Sequence, residues 1–333
     1  MNTYAIITTI QAPTKSVEIL QSYLARFSIL LVVVGDRKGP FDYPNWSQFL
    51  PIDGQYELPF KLAHLLPEKH YARKNLGYLH AFRQGAACLY ETDDDNAPEP
   101  NWSLKTETKI QARMLSGKRW LNVYKHYTPI NIWPRGLALD YINEVGVLGG
   151  ECQVFAPIRQ SLANGSPDVD AIWRLALDSD VTFKKRGVLA LSKNVWCPFN
   201  SQNTWWSKEA FPLMYLPSFV SFRMTDIWRS FVAQRCLWAM GANLVFDDAD
   251  VFQERNPHNL MRDFADEVSG YLNNDNIVDA LGRLELSPGV DQVIANLVSC
   301  YNMLVSIGVV PDRELPLVAA WVEDCKRLQD ESP

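Results

Sequence analysis

The sequence predicts an α/β protein whose first part contains a parallel, Rossmann-like sheet and whose last part is helical. Buried strands over residues 4–10 and 29–34 flank an amphipathic helix over residues 16–26, which is the pattern of a βαβ unit. A second helix, over residues 71–87, leads into a short apolar strand that ends in acidic residues. From about residue 259 onward, apolar residues recur at helical spacing. These three observations predict the α/β class with a C-terminal helical appendage.

The domain division follows from this change in pattern. We expect one domain over residues 1–258, which carries the candidate site, and a helical region over residues 259–333. The apolar faces of the predicted C-terminal helices pack most simply on the first domain. The same faces would also serve a homo-oligomer contact or the docking of a partner, and all three roles stay open at this point.

The composition is that of a soluble globular protein. The chain has 333 residues, of which 47% are apolar and 21% charged, enough to bury one or two ordinary cores. Its net charge of −6 gives no support to nucleic-acid binding through a general basic field. The longest apolar stretch, residues 27–35, is too short to span a bilayer, and the N-terminus lacks the pattern of a signal peptide. We therefore expect no transmembrane segment and a cytoplasmic location.

The apolar run of residues 86–90 is followed by Glu91 and Thr92 and then by three consecutive aspartates, Asp93 to Asp95. In an extended segment side chains alternate, so we expect Asp93 and Asp95 to face the same way and Asp94 to point elsewhere. Carboxylate oxygens suit Mg²⁺ or Mn²⁺, which commonly complete their coordination with substrate phosphates. The motif therefore predicts a metal site and a phosphorylated ligand such as a nucleotide. An acidic turn that caps a helix at Pro98 is the alternative.

The carboxyl ends of the predicted strands bring further polar residues to the same edge of the sheet. Thr8, Thr9, Asp36 and Asp93 all follow or end buried strands, and parallel sheets bind ligands at that edge. Thr8 and Asp36 are therefore candidates to hold a nucleoside. Asp36 lies in a turn by composition, residues 35–39, so a solvated turn is the other interpretation.

A basic pair, Arg73 and Lys74, occupies the first turn of the predicted helix that precedes the aspartates. Cations are poorly placed for the dipole at a helix start, so an anionic partner explains them better than helix stability does. We expect them to neutralise a diphosphate opposite the metal, with Asn75 beside them. An exposed helix end with both side chains in water is the alternative.

Several blocks of the first 260 residues together carry a specific resemblance. They are residues 73–78 (Arg-Lys-Asn-Leu-Gly-Tyr), 91–96 (Glu-Thr-Asp-Asp-Asp-Asn), 122–136, 167–171, 198–206 and 221–229. With these blocks the chain resembles the STELLO glycosyltransferase-like family over most of residues 1–260. That family is similar, more distantly, to the reversibly glycosylated polypeptides that act as UDP-arabinopyranose mutases. The resemblance implies a GT-A fold with a DXD metal site, in agreement with the interpretation from the residues alone.

The resemblance gives the metal a role. In sugar transfer from a nucleotide-sugar, a metal on the diphosphate stabilises the charge that builds on the leaving group. Asp93 and Asp95 fit as ligands of Mn²⁺ or Mg²⁺, and the segment 253–258 offers His258 as a third ligand. A histidine after a proline is also a common helix cap or surface residue.

The donor nucleotide is expected to be UDP by resemblance. The residues expected to contact it are Thr8, Asp36, Arg73, Lys74, Asn75 and Asp94. Two of them, Arg73 and Lys74, would share the developing phosphate charge, and Asn75 would bond the diphosphate or the sugar.

Acidic residues of the second half are candidates for catalysis. Asp226 lies in the first turn of a predicted helix over residues 222–240 and matches an acidic-Trp motif of related GT-A enzymes. It is the leading candidate for a general base or a sugar-hydroxyl ligand, and as a base it would give inversion. Asp170 is its rival, together with Asp168, in a turn that enters a predicted helix over residues 171–177. For both Asp226 and Asp170, helix capping is the plainer alternative.

Two further features point to sugar chemistry. Arg135 aligns with the segment that carries a glycosylated arginine in the mutase-like polypeptides, whereas a guanidinium clamp on a diphosphate or carboxylate is the simpler role. The aromatic-rich segment 198–206, with Trp205 and Trp206, mixes ring faces with amide and hydroxyl groups, as carbohydrate sites do. A packed core loop is the other interpretation of that segment.

The function expected from the sequence is that of a metal-dependent glycosyltransferase. It would move a sugar from a nucleotide-sugar to a glycan or polysaccharide acceptor, as in polysaccharide biosynthesis. Two alternatives stay open. A UDP-sugar mutase or self-glycosylating protein would depend on Arg135, and a non-catalytic scaffold would need neither Asp93 nor Asp95.

Overall fold

The computed structural model describes residues 2–254 and 259–331. Within these ranges the strands are β1 (Thr3–Thr8), β2 (Leu30–Val34), β3 (Ser47–Leu50), β4 (Cys88–Thr92), β5 (Asn96–Pro98), β6 (Lys109–Ser116), β7 (Val147–Phe155), β8 (Ile158–Gly165), β9 (Leu189–Leu191), β10 (Asn203–Ser207) and β11 (Leu244–Gln253). The helices are α1 (Lys15–Arg26), α2 (Ile52–Gln55), α3 (Lys74–Arg83), α4 (Tyr124–Tyr127), α5 (Ala171–Ala176), α6 (Thr225–Ala239), α7 (Leu260–Arg283), α8 (Val293–Ser306) and α9 (Leu315–Asp330).

These strands form one mixed sheet, in the order β3-β2-β1-β4-β10-β8-β11-β9-β6-β7, with β5 pairing with β11 beside this path. The strands β3, β2, β1 and β4 run parallel. Because β10 is antiparallel to both β4 and β8, β8 runs in the same direction as β4, and β11 is parallel to β8. The carboxyl ends of β1, β4, β8 and β11 therefore lie at the same edge of the sheet, which is where α/β sheets bind ligands.

The predicted βαβ unit is present at the start of the chain. The strands β1 and β2 pair in parallel, and α1 between them buries Val17, Leu20 and Leu24. The first strand ends at Thr8 rather than at Ile10, whose side chain is exposed. Thr8 therefore ends the strand at the ligand-binding edge, as the sequence predicted.

The helix predicted over residues 71–87 is shorter in the structure. The segment Tyr71–Arg73 forms a 3₁₀ turn before α3, and Gly85, with a φ of 74°, follows its end. Gly77 faces the sheet, because a Cβ there would lie only 2.7 Å from the side chain of Val34. This close approach fixes the rotation of α3 and decides which of its first residues point towards the end of β4.

The largest apolar core lies between the sheet, α3, α6 and the three C-terminal helices. Trp206, Phe231, Leu281 and Trp321 are buried in it, from β10, α6, α7 and α9 respectively. The C-terminal helices therefore pack on the sheet-bearing part of the chain, the simplest of the three expected roles. The domain boundary after residue 258 stays a prediction.

The architecture confirms the predicted fold class. It is an α/β fold of Rossmann-like GT-A type with a helical C-terminal part. Of the helices in the described ranges, none combines the length and the apolar character that crossing a membrane requires.

Candidate functional site

A polar cavity of about 250 Å³ opens at the edge where the carboxyl ends of β1, β4, β8 and β11 meet. Residues from all four strand ends, from the loops after β8 and before β10, and from the start of α6 surround it. They are Thr8, Tyr71, Asp93, Asp94, Asp95, Arg135, Ser166, Pro167, Asp168, Val169, Arg174, Asn200, Ser201, Gln202, Phe222, Arg223, Asp226 and Gln253. The topology therefore gathers half of the twelve site residues expected from the sequence, namely Thr8, Asp93, Asp94, Asp95, Arg135 and Asp226.

The three aspartates after β4 all line the cavity, but in a turn rather than in an extended segment. Asp94 accepts a hydrogen bond from Thr9 Oγ1 at 2.5 Å, which directs it towards the end of β1. Asp95 Oδ2 accepts from Gln253 Nε2 at 3.0 Å. The expected alternation of a strand is therefore absent, and Asp94 and Asp95 are held by residues at two different strand ends.

Asp93 is positioned from behind by a buried lysine. Its Oδ1 accepts from Lys74 Nζ at 3.2 Å and from the Tyr71 hydroxyl at 3.1 Å. Lys74 also donates to the carbonyl of Thr92 at 2.7 Å, and its side chain is fully buried. Burial raises the pKa of Asp93 even though the charge of Lys74 works in the opposite direction. Lys74 thus supports the carboxylate and does not reach into the cavity.

The predicted metal site is a pair of carboxylates rather than a closed cage. Within residues 2–254 and 259–331, no group of three or more His, Cys, Asp or Glu side chains is arranged to hold a metal ion. Asp93 and Asp95 are nevertheless the hard oxygen donors that Mg²⁺ and Mn²⁺ use when phosphates complete the shell. The third expected ligand, His258, lies outside the described residues.

Thr8 leaves a polar group for a ligand. Its Oγ1 is buried at the cavity wall and has no hydrogen-bond partner among the described residues. A buried hydroxyl without a partner is costly, so it favours a ligand or a water at this position. This hydroxyl and the two carboxylates fit a metal-bound phosphorylated ligand.

Arg73 and Asn75 were expected at the diphosphate, and the structure places them elsewhere. Arg73 is buried and donates to Gln55 Oε1 at 2.6 Å and to the carbonyl of Leu66 at 3.0 Å. Asn75 exchanges two hydrogen bonds of 2.9 Å with the backbone of Leu216. The physical reason is the rotation of α3. Of Arg73, Lys74 and Asn75, only Lys74 points towards the end of β4.

Asp36 is likewise not part of the cavity wall. Its carboxylate accepts hydrogen bonds from the backbone amides of Arg37, Lys69 and His70, at 2.5, 2.7 and 2.9 Å respectively. It ties the turn after β2 to the segment that precedes α3. In this arrangement Asp36 supports the loop beside the cavity, and contact with a nucleoside stays a prediction.

Arg135 is locked between two aspartates on the opposite side of the cavity. It binds Asp168 in a bidentate manner at 2.8 and 2.7 Å, and Asp226 in the same manner at 3.0 Å for both bonds. It also donates to the carbonyl of Arg223. Burial opposes the charge on Arg135, yet the two carboxylates raise its pKa well above its ordinary value. The guanidinium is therefore a permanent cation with its donors already engaged.

Asp226 is an anion in this cluster. Burial works to raise its pKa, but the charge and hydrogen bonds of Arg135 outweigh burial and hold that pKa well below its usual range. Its Oδ2 also accepts from the amide and the hydroxyl of Ser201, both at 3.2 Å. A carboxylate stabilised in this way is a weak base and a good acceptor of hydrogen bonds from sugar hydroxyls.

Asp170 does not take part in the site. It is completely buried, outside the cavity, and accepts from the Trp173 amide at 2.8 Å and from Trp133 Nε1 at 2.6 Å. It is the N-cap of α5, and burial raises its pKa to about 6. The structure therefore shows the capping role of Asp170, and its catalytic assignment stays a prediction that this geometry does not support.

The aromatic pair of segment 198–206 belongs to the core. Trp206 donates to the buried carboxylate of Glu91 at 2.9 Å, and Trp205 stacks on Tyr90 at 4.6 Å between ring centroids. Both strand faces at this point are covered, so both rings are buried. Only the preceding residues, Asn200–Gln202, reach the cavity, as amide and hydroxyl groups.

Sequence reasoning missed the residue that joins the two sides of the cavity. The Tyr71 hydroxyl lies 3.1 Å from Asp93 Oδ1 and 2.5 Å from Ser201 Oγ, and Ser201 contacts Asp226. Phe222 and Gln253 were also missed as cavity residues. For Gln253 a signal existed, since it ends a long strand, β11, at the ligand-binding edge.

Comparisons with known proteins agree with this architecture. The family model of the STELLO glycosyltransferases matches residues 223–333. Probable glycosyltransferase STELLO1 of Arabidopsis thaliana is 31% identical over 234 residues, which cover 63% of this chain and 30% of the relative. Probable glycosyltransferase STELLO2 of the same plant is 25% identical over 326 residues, which cover 91% of this chain and 42% of the relative. The chain thus spans less than half the length of these curated relatives. Both comparisons therefore find this chain similar to the STELLO glycosyltransferases.

Proposed function

We propose that this chain is a metal-dependent glycosyltransferase that moves a sugar from a nucleotide-sugar, with UDP as the nucleotide, to a glycan or polysaccharide acceptor. The observation that carries the proposal is the pair Asp93 and Asp95 at the end of β4, beside the unpartnered hydroxyl of Thr8. The relatives' printed name, probable glycosyltransferase, supports the same reaction class.

Asp93 and Asp95 would hold Mn²⁺ or Mg²⁺, which supplies Lewis-acid stabilisation of the leaving diphosphate when bound. The chain's own residues prepare these two carboxylates. Lys74 and Tyr71 hold Asp93 at 3.2 and 3.1 Å, and Gln253 holds Asp95 at 3.0 Å. Because these supports are buried or half-buried, the carboxylates are oriented before a ligand arrives.

Asp226 would orient the sugar that is transferred or extended. Its low pKa keeps it ionised at neutral pH, so it accepts hydrogen bonds from hydroxyl groups but removes protons poorly. This favours the role of a sugar-hydroxyl ligand over that of a general base. Arg135 would act on the substrate through Asp226 and Asp168 rather than by direct contact.

The positive charge and the engaged donors of Arg135 argue against the mutase and self-glycosylation alternative. A nucleophilic arginine must be neutral, whereas two carboxylates raise the pKa of Arg135 and occupy its donors. We therefore do not assign a glycosylated arginine to this chain.

The proposal is tested by calorimetric binding of UDP, GDP and CMP, with and without Mn²⁺. We expect Mn²⁺-dependent binding of UDP to the unmodified chain and a loss of at least about tenfold in an Asp93→Asn, Asp95→Asn double variant. Asp140→Asn, at an exposed acidic residue away from the cavity, is the matched control and should bind like the unmodified chain. Absence of Mn²⁺-dependent binding for all three nucleotides would contradict the proposal.

A further inference from the structure

The cavity has two ends of different character. At the first end lie the aspartates after β4, and at the second lies the cluster of Arg135, Asp168 and Asp226. The Tyr71 and Ser201 hydroxyls, 2.5 Å apart, form the bridge between the two ends. The proposed metal and diphosphate use the first end, so the second end is left for another group.

The second end carries more carboxylates than guanidiniums. Arg135 is paired with both aspartates, and Arg223 is paired with Glu267 at 2.9 Å. Arg174, which also lines the cavity, contacts Asp178 at 3.3 Å and has a buried Nε without a hydrogen-bond partner among the described residues. The excess of negative charge disfavours an anionic sugar here, whereas hydroxyl groups would find carboxylate acceptors.

Phe222 stands at the mouth of this end. It is 54% exposed, and it is the one exposed side chain among the described residues that line the cavity. The rings of His70 and Tyr71 meet it edge-on, with centroids 6.5 and 6.1 Å away. These contacts hold the ring in place while leaving part of its surface open, and Tyr71 is the same residue that positions Asp93.

An apolar ring beside ionised carboxylates matches one class of ligand. A sugar ring has an apolar C–H face that packs on an aromatic ring and hydroxyls that donate to carboxylates. Trp205 and Trp206, the rings that the sequence favoured for this purpose, are buried and not accessible to a ligand. Phe222 is accessible and lies three residues before Thr225 and four before Asp226 at the start of α6.

We propose that Phe222, with Asp168 and Asp226, forms the acceptor subsite, and that this subsite takes an uncharged sugar ring. The inference rests on the proposed glycosyltransferase function and adds to it a location and a substrate class. In this arrangement the ring stacks on Phe222 and its hydroxyls donate to the two carboxylates. Arg135 holds both carboxylates in place through bidentate hydrogen bonds without meeting the sugar.

The test measures binding of three uncharged probes, cellotetraose, xylotetraose and mannotetraose, and of one anionic probe, tetragalacturonate. Saturation-transfer NMR and calorimetry are run with and without UDP and Mn²⁺. We expect at least one uncharged probe to bind and tetragalacturonate to bind about tenfold more weakly or not at all. Failure of all three uncharged probes under both conditions, or tighter binding of tetragalacturonate, would overturn the inference.

Three variants tie binding to the ring. Phe222→Ala should lower the affinity for the probe by about tenfold. Phe222→Tyr, which retains the ring face, should keep most of the affinity of the unmodified chain. Phe41→Ala is the matched control, because Phe41 is 79% exposed but does not line the cavity. Equal affinity in the Phe222→Ala variant and the unmodified chain would remove Phe222 from the subsite.

Failure of this inference and failure of the proposed function are distinguishable. UDP binding with Mn²⁺, measured on the unmodified chain alone, reports the first end of the cavity. If UDP binds and no uncharged sugar does, the acceptor subsite is wrong and the donor site stands. If a sugar binds through Phe222 and no nucleotide does, the subsite stands as a carbohydrate-binding site and the transferase proposal falls.

Discussion

The two ends of the cavity are built in opposite ways. The first end consists of consecutive residues, Asp93 to Asp95, which accept hydrogen bonds from neutral and cationic donors. The second end joins Arg135, Asp168 and Asp226, which are far apart in sequence and form ion pairs with one another. The first end therefore presents carboxylates suited to a metal ion, whereas at the second end the protein's own cation already pairs with the carboxylates and hydrogen-bond acceptors remain for neutral groups.

This difference teaches that charge count alone does not locate a binding site. Both ends contain aspartates, yet only the first has a raised pKa on a carboxylate and an unpartnered hydroxyl beside it. At the second end a depressed pKa on Asp226 reports an ion pair that already exists. Substitutions of charged residues should accordingly affect stability most at the second end and metal-dependent nucleotide binding most at the first.

The largest expected effect comes from removing the cation of the second end. Arg135→Met would leave the buried Asp226 without its ion-pair partner and Asp168 with only the longer contact to Arg223 at 3.9 Å, so we expect a loss of about 3–5 kcal/mol in the free energy of unfolding. Urea denaturation at pH 7.5 measures it. Arg113→Met, at an exposed arginine of β6, serves as the control and should change the value by less than about 0.5 kcal/mol. A loss below about 1 kcal/mol for Arg135→Met would break the comparison.

A smaller effect on stability is expected from the pH dependence of Asp170, whose buried carboxyl lies outside the cavity. Its folded pKa of about 6 lies above the unfolded value of about 3.9, so the folded state keeps a proton that the unfolded state has lost. The resulting stability is fully present below about pH 4 and is lost as pH rises through 6. Asn keeps a side-chain oxygen for the Trp173 amide but does not titrate.

Unfolding of the unmodified chain and of Asp170→Asn at pH 4.5 and 7.5 measures this difference. We expect the unmodified chain to lose about 2–3 kcal/mol more than the variant between these two pH values. Because every other titrating group is common to both chains, the subtraction isolates Asp170. Parallel pH profiles for the two chains would contradict the assigned pKa.

The smallest expected effect concerns the bridge between the two ends. Tyr71→Phe removes the hydroxyl that contacts Lys74, Asp93 and Ser201, and we expect a loss of about 1 kcal/mol in stability. UDP binding with Mn²⁺ should weaken as well, because Asp93 loses one of its two supports. Tyr23→Phe, at a half-buried tyrosine of α1, is the matched control. Unchanged UDP affinity would mean that Lys74 alone positions Asp93.

Much of the first end was predictable because its signals are local. An apolar run followed by Asp93 to Asp95 implies a strand end, and strands of one direction bring their carboxyl ends to one edge. Thr8 follows from the same rule, since it closes the first strand. The prediction was incomplete for the side-chain directions, because the chain turns directly after Thr92.

The second end was only partly predictable because its partners meet through tertiary contacts. Arg135, Asp168 and Asp226 were all candidates, but their spacing in sequence contains no information about which of them pair. Asp170 differs from Asp168 by two positions, and only the entry of α5 decides that one caps a helix while the other binds Arg135.

The sequence by itself determined the early parallel strands, the helix between them and the acidic strand end, because hydrophobic period and strand polarity are properties of short segments. Only the tertiary structure decided which polar side chains face the cavity. Neighbouring residues of a helix point about 100° apart, so the rotation of α3, set by the contact of Gly77 with β2, selects Lys74 over Arg73 and Asn75. Phe222 likewise lines the cavity only because the tertiary structure brings the start of α6 beside the strand ends.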